Sequence, residues 1–420
     1  MEDRMDLVLR SATLMGHGME GPWDVGVRNG KIAEIAPRIG ANGREEFDLG
    51  GRLLTPGLVE SHIHLDKSRI IDRCAPEGGR NAANAVKRVQ AVKRNFTVED
   101  VYERGKTTLE AAILQGTTRM RTHVEVDPSG GLIGLEAIQA LARDYRWAID
   151  LEICVFLQEG MTGVEGAEAL LAKAIERGDS ITAVGGAPGY DTDHMRQIGR
   201  VFELARAHDL DVDLHLDFGN TPEVMDIHGV IELTDRHRYG GRVNVGHVTK
   251  LSTLPPEKQV PIARRLAAAG VAVTVLPATD LFLMGRDQTH DVRRGIVDVN
   301  AYDRLGVICS IANNNILNPF TPFGDCSLVR MANLHANALQ VAGKDDLKAC
   351  FEMVSSDAAR VLNLRDYGVA IGNPADFAVL DAKDEAEAVA AVAPVLYAFK
   401  NGRRSATRPP PDLHRPTRAQ

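Results

Sequence analysis

Histidine supplies the most chemistry in this chain. His62 and His64 stand as H-x-H at the end of an apolar run, LVESHIHL, and on a strand the period of two turns both imidazoles to one side. His215 closes a second such run, DVDLHLD, and His247 a third, RVNVGHV. Asp217 follows His215 by two residues and shares its face if the strand runs that far. Neutral imidazole is the commonest metal ligand, and several imidazoles converging from separate strands suit Zn²⁺ or Fe²⁺. A metal so held activates water for hydrolysis. A lone strand-end histidine, such as His123 in RTHVEV, is as readily a hydrogen-bonded structural residue. His62, His64, His215 and His247, gathered at separate predicted strand ends, point instead to a metal site. The remaining histidines fall in predicted helices, loops or the tail and read as solvated or structural.

The elements that must position these residues are legible as a repeat. LLAKAIERG precedes SITAVGGAPG, FELARAHDL precedes DVDLHLD, and RRLAAAG precedes VAVTVLP. In each unit a helix stops at a glycine or polar cap, and a largely β-branched run without polar alternation follows, as in a strand buried on both faces. Candidate parallel strands begin near residues 58, 118, 149, 181, 211, 242, 271 and 306. Eight such units predict a (β/α)₈ TIM barrel, whose active site lies at the C-terminal ends of the strands, where these histidines stand.

Residues 1–57 read instead as short strands, with Asn29-Gly30 as a hairpin turn, and β texture returns in GNPADFAVLDA and VLYAFKNGRRSA. The expected division is a barrel over residues 58–366, a small β-sandwich domain built from 1–57 plus 367–405, and a Pro-rich flexible tail over 406–420.

The chain has 420 residues with 49 Lys+Arg against 57 Asp+Glu, a formal charge of −8. No concentrated basic surface is evident, which argues against nucleic acid or an anionic membrane as partner. The 5 cysteines lack CxxC spacing, and the N-terminus is acidic where a signal peptide would be basic. A cytoplasmic enzyme is the expectation, with a homo-oligomer possible.

TPGLVESHIHLDKS, RTHVEVD, FLQEG, the His215 strand, GHVTK and the closing GNPADFAVLDA resemble the amidohydrolase superfamily, in particular its cytosine deaminase-like branch, which also includes N-isopropylammelide amidohydrolases. The resemblance spans roughly residues 5–405. It implies one divalent metal ion, Zn or Fe, held by His62, His64, His215 and a residue from the eighth strand, with His247 contacting the nascent oxyanion or the metal water. The fourth strand, SITAVGGAPG, lacks the lysine that a two-metal site would carry. By the same match Gln158 hydrogen-bonds a heterocyclic substrate, and His123, Phe218 and Asn315 are its expected neighbours.

Two departures from the family pattern shape the functional expectation. Relatives that deaminate cytosine carry H-x-D-E on the fifth strand, whereas this chain reads His215-Leu216-Asp217-Phe218. The eighth-strand aspartate falls in ANNN, at Asn314 when aligned on the following NPF, with Asn313 or Asn315 as alternatives. Phenylalanine carries no proton, and asparagine can offer a metal only a neutral oxygen. Proton delivery to the leaving nitrogen then falls to Asp217, with His247 second. The expected activity is hydrolysis of a C–N bond in a small cyclic amidine, amide or aminated N-heterocycle other than cytosine. The rivals are a lactone or ester hydrolase, which needs less proton donation, and a non-catalytic ligand-binding barrel.

Overall fold

A computed structural model describes residues 4–16, 21–76, 82–409 and 411–414. Eight strands, from the chain ends, form one sheet: β1 (Met5–Leu14), β2 (Trp23–Arg28), β3 (Lys31–Ala36), β4 (Gly43–Asp48), β5 (Leu53–Pro56), β14 (Phe377–Leu380), β15 (Val395–Lys400) and β16 (Arg403–Thr407). The other eight form the barrel: β6 (Leu58–Ile63), β7 (Thr117–Glu125), β8 (Asp150–Leu157), β9 (Ile181–Gly186), β10 (Asp211–Leu216), β11 (Val243–His247), β12 (Val271–Val275) and β13 (Cys309–Ile311).

Barrel strands follow in sequence order, and each pairs in parallel with the next. The β-branched runs do what their lack of alternation predicted: β6, β11, β12 and β13 are buried along their whole lengths. The connecting helices carry orthodox stop and start signals. Thr97 caps helix Val98–Leu114 and Asp193 caps helix His194–His208, each accepting a backbone N–H, while helix Pro256–Ala269 ends at Gly270 with φ 69°.

Closure runs through the residues after β13. Asn314 N–H donates to the His62 carbonyl at 2.9 Å, and His64 N–H donates to the Asn314 carbonyl at 2.8 Å, a parallel bridge across Ile63. Below it, the Ser61 and Ser310 hydroxyls meet at 2.9 Å, and Ser310 meets Thr274 at 2.8 Å. The first strand, which carries H-x-H, is thereby keyed to the last.

The second sheet is mixed: β1 pairs antiparallel with β2 but parallel with β4 and β5. A bulge between Leu9 and Ala12, where Ser11 has φ 56°, lets β1 serve both halves, which enclose Leu7, Leu9, Val25, Phe377 and Phe399. Asn29 and Gly30 have φ of 53° and 75°, the type I′ requirement, and Asn401 and Gly402 repeat it at 49° and 72°. Pairing of Tyr397 with Thr407 carries β16 two residues into the segment expected to be tail; residues 410 and 415–420 of that segment lie outside the described residues. Buried Lys400 fastens this sheet to the barrel, donating to Asp376 at 2.6 Å and to Asp150 of β8 at 2.7 Å. All five cysteines are free, and no helix among the described residues is long and apolar enough to cross a membrane.

Gly185 in β9 is a packing requirement of the barrel, because a Cβ there would stand 2.0 Å from the Asp213 carbonyl oxygen of neighbouring β10. Gly185→Ala must push the two strands apart. The expected result is a loss of about 1–3 kcal/mol, read as a lower denaturation midpoint in urea.

Candidate active site

The strand ends place His62 and His64 on one side, as the period of two requires, and β10 brings His215 to them. The Nε2 atoms of His62 and His215 are 3.2 Å apart, and those of His64 and His215 are 3.1 Å apart. Around one tetrahedral ion with metal–nitrogen distances of about 2.0–2.1 Å, ligand nitrogens stand roughly 3.3 Å from one another. Both distances to His215 therefore fit a shared metal, and all three ligand atoms lie within 4.8 Å of one another. His62 and His64 are buried and His215 is half-buried. Burial, joined by neighbouring positive groups, holds all three well below the ordinary 6.5, so they stay in the neutral form that ligates. Their Nδ1 atoms have no hydrogen-bond partner among the described residues. A second group, His62, His123 and Asp213, also lies within ligand distance, but it shares His62, and Asp213 is already engaged by Asn244 at 2.9 Å.

A cavity of about 210 Å³ opens over the imidazoles, and His64, His215, His247, Gln158, Asn314 and Phe218 are part of its wall. His247 ends β11, and both it and Val248 take positive φ, 72° and 44°. Such a conformation at a β-branched residue is rare and aims the preceding side chain away from the strand's ordinary direction. His247 Nδ1 lies 2.6 Å from Asp280 Oδ1, and the carboxylate, being an acceptor, takes the Nδ1 proton. Nε2 is then the free lone pair, and it receives a long N–H contact of 3.5 Å from Asn314 Nδ2.

Among the asparagines, Asn314 occupies the cavity wall at φ 64°, a conformation asparagine tolerates. Asn315 Nδ2 donates to Asn314 Oδ1 at 2.8 Å, and Asn318 in turn donates to Asn315 Oδ1 at 2.7 Å, so the Asn315 amide orients its neighbour. Asn313 turns away to Glu60, donating at 2.6 Å. Burial raises Glu60 to about 7 against the hydrogen bonds from Asn313.

Two expectations need correction. Asp217 lines the cavity together with His215, but not by strand alternation, because β10 ends at Leu216 and Asp217 turns to φ 48°. Its two oxygens accept the N–H groups of Asp226 at 2.9 Å and Ile227 at 3.0 Å, at the start of helix Ile227–His237. Burial pushes its carboxyl above the usual range although these bonds pull the other way. His123 is not on the cavity wall. Fully buried, its ring stacks on His62 at 3.8 Å and 24°, and its Nε2 comes within 3.3 Å of Asp213 Oδ1 without the alignment of a hydrogen bond. It backs His62 and does not face the cavity.

Sequence reading missed two residues. Asp280, in LPATD, sits in helix Pro277–Leu283 behind His247. Lys67, directly after HIHLD, is buried and lines the cavity; its Nζ donates to Glu125 at 2.5 Å and to Gln158 Oε1 at 3.4 Å. A lysine adjoining H-x-H-x-D was the available signal, but its significance lies in contacts distant along the chain.

Residues 53–404 match the Amidohydrolase family. Among curated proteins, the chain is similar to N-isopropylammelide isopropyl amidohydrolase of Pseudomonas sp. (strain ADP), 27% identical over 96% of this chain and 98% of that one. It is also similar to pterin deaminase of Rhizobium rhizogenes, 26% identical over 86% of this chain and 82% of that one. Among solved structures, 5-methylcytosine deaminase from Klebsiella pneumoniae, liganded with 5-fluorocytosine, matches with a TM-score of 0.91 at 28% identity, covering 97% of this chain and 99% of that one.

The neutral imidazoles carry a stability signature. In the unfolded chain each binds a proton near 6.5, whereas the folded site holds it off, so the unfolded state has more protons and stability falls as pH drops below 6.5. Chelator-treated protein is expected to show a denaturation midpoint that declines from pH 7.5 to 5.5, and His215→Phe, with one imidazole fewer, a shallower decline. Equal slopes would contradict the neutral cluster.

Proposed function

Because this chain belongs to the amidohydrolase family, we propose that it is a metal-dependent hydrolase that releases ammonia or an amine from a small N-heterocycle, or cleaves the equivalent C–N bond of a cyclic amide or amidine. The observation that carries this reading is that the Nε2 atoms of His62 and His64 each lie 3.1–3.2 Å from His215 Nε2 beneath a cavity that His247 also lines. The family is metal-dependent, and we assign one Zn²⁺ or Fe²⁺ to these imidazoles, with the Asn314 side-chain oxygen as a further neutral donor. When bound, the ion supplies the Lewis acidity that makes water nucleophilic near neutral pH. The relatives' names, N-isopropylammelide isopropyl amidohydrolase, pterin deaminase and 5-methylcytosine deaminase among them, support an aminated ring as substrate.

Proton transfer is assigned to His247, not to Asp217, whose two oxygens are spent on backbone N–H groups. His247 Nε2 accepts the proton from the attacking water; Asp280 steadies the imidazolium through Nδ1, and the same Nε2 returns the proton to the leaving nitrogen. Phe218 stands edge-on to His247, with ring centroids 5.4 Å apart at 79°, and keeps water from that side. Where cytosine deaminases have a glutamate it has no proton to give, which supports a ring other than cytosine. An intact set of neutral ligands argues against a barrel that only binds. With all five cysteines free, the reducing cytoplasm is the proposed location.

Protein loaded with Zn²⁺ or Fe²⁺ is expected to release ammonia or amine from at least one member of a panel of aminopyrimidines, aminotriazines and pterins; silence across the panel with stoichiometric metal bound would overturn the reading. On the substrate so found, Asp280→Asn is expected to lower kcat by about 10²–10⁴-fold with metal content unchanged, the scale of lost general acid–base catalysis. Asp217→Asn should leave kcat nearly unchanged while lowering the denaturation midpoint. The reverse order would return the shuttle to Asp217.

A further inference from the structure

Asp226 stands where a helix is normally capped, directly before Ile227–His237, yet its carboxylate accepts no N–H of that helix. Aspartate is favoured at such a position because its side chain takes one of the helix's free N–H groups. Here Asp217 does that work: its oxygens accept the N–H groups of Asp226 at 2.9 Å and Ile227 at 3.0 Å. The Asp226 carboxylate is thereby released from capping, although the residue is only 6% exposed and stands on the cavity wall. His194, at the start of helix His194–His208, has Nδ1 2.8 Å from Asp226 Oδ2 and donates to it, since a carboxylate only accepts. Oδ1 has no partner among the described residues. A buried carboxylate oxygen without a donor is costly, and a molecule in the cavity can supply the one it lacks.

Lys250 decides what kind of group that is. It too lines the cavity, and its Nζ donates to the Val224 carbonyl at 2.6 Å and lies 3.6 Å from Asp217 Oδ1, the oxygen that accepts the Asp226 N–H. An ammonium has three protons, and Val224 takes one. On either side of Asp217 the wall therefore carries an acceptor, Asp226, and a donor, Lys250. An amine cation would meet the like charge of Lys250, and an anion would meet Asp226 and Asp217. A hydroxyl is neutral and both gives and accepts a hydrogen bond, so it suits either residue, and two on neighbouring carbons suit both.

We propose that Asp226 and Lys250 form a subsite for a vicinal diol carried on the substrate ring: one hydroxyl donates to Asp226 Oδ1, and its neighbour accepts from Lys250 Nζ. The inference rests on the function proposed above and narrows its substrates to N-heterocycles with a dihydroxylated side chain. Asp226 follows β10 and Lys250 follows β11, so the side chain extends on the side of the cavity where His215 and His247 end their strands.

The test uses an aminopyrimidine, an aminotriazine and a pterin, each carrying, in turn at every free ring position, a 2,3-dihydroxypropyl group or a plain propyl group. Binding is measured by calorimetry to the zinc-loaded enzyme and its variants. In at least one matched pair the wild type is expected to bind the diol about tenfold or more tightly than the propyl form, the scale of one hydrogen bond to a charged group. Asp226→Leu should remove that preference by weakening the diol while the propyl form binds at least as tightly as before, a pattern that misfolding cannot produce. Lys250→Met, which keeps the length of the side chain, should narrow the preference without touching the propyl form. No diol preference in any pair, or a preference that either variant leaves unchanged, overturns the proposal. An enzyme that releases ammonia or amine from the panel but shows no diol preference keeps the function and loses the subsite; one that shows the preference but turns over no panel member loses the function alone.

Discussion

The barrel is joined to itself at the site of its chemistry. Asn314 exchanges backbone hydrogen bonds with His62 and His64, so the segment that closes the barrel is the one that sets the two-histidine strand against His247. Strand pairing is unforgiving of register: a slip of one residue would turn His62 and His64 to the opposite face and leave His215 without partners. Hydroxyl contacts among Ser61, Ser310 and Thr274 repeat the lock one layer down. The short final strand, Cys309–Ile311, can be short because closure continues beyond it through Asn314.

Above this closure, carboxylates stand behind several of the polar side chains near the histidines. Asp280 backs His247, Glu60 backs Asn313, Asp213 stands beside His123, and Glu125 backs Lys67. Buried carboxylates in such places orient and polarise the groups in front of them, as supporting residues do around metal ligands. Replacing the expected acids by Asn314 and Phe218 does not empty the site of acids. Asp217 lines the cavity, and Asp280 stands one layer back, behind His247.

Much of the fold was readable because its signals are local. Eight strands lie within a few residues of where the apolar runs place them, and both Asn-Gly pairs take the positive φ that their hairpins need. H-x-H, His215 and His247 were likewise visible, since an imidazole closing an apolar strand is a local oddity. Asp217 reaches the cavity wall, but not through alternation, which holds only while a strand lasts, and no residue type announces that β10 stops at Leu216. His123 looked like a site residue for the same local reason, although depth within the barrel, not sequence position, decides whether a ring faces substrate.

The chain by itself determined which groups were available: imidazoles at strand ends, an amide where the acid was expected, a phenylalanine where the second acid was expected. Periodicity carries that information, because it depends on neighbours a few residues away. Tertiary structure alone decided what those groups do. Lys67 meets Glu125, 58 positions further on, and His247 meets Asp280, 33 positions further on. Hydrogen bonds act over about 3 Å of space whatever the distance along the chain, so roles of this kind exist only once the barrel has closed.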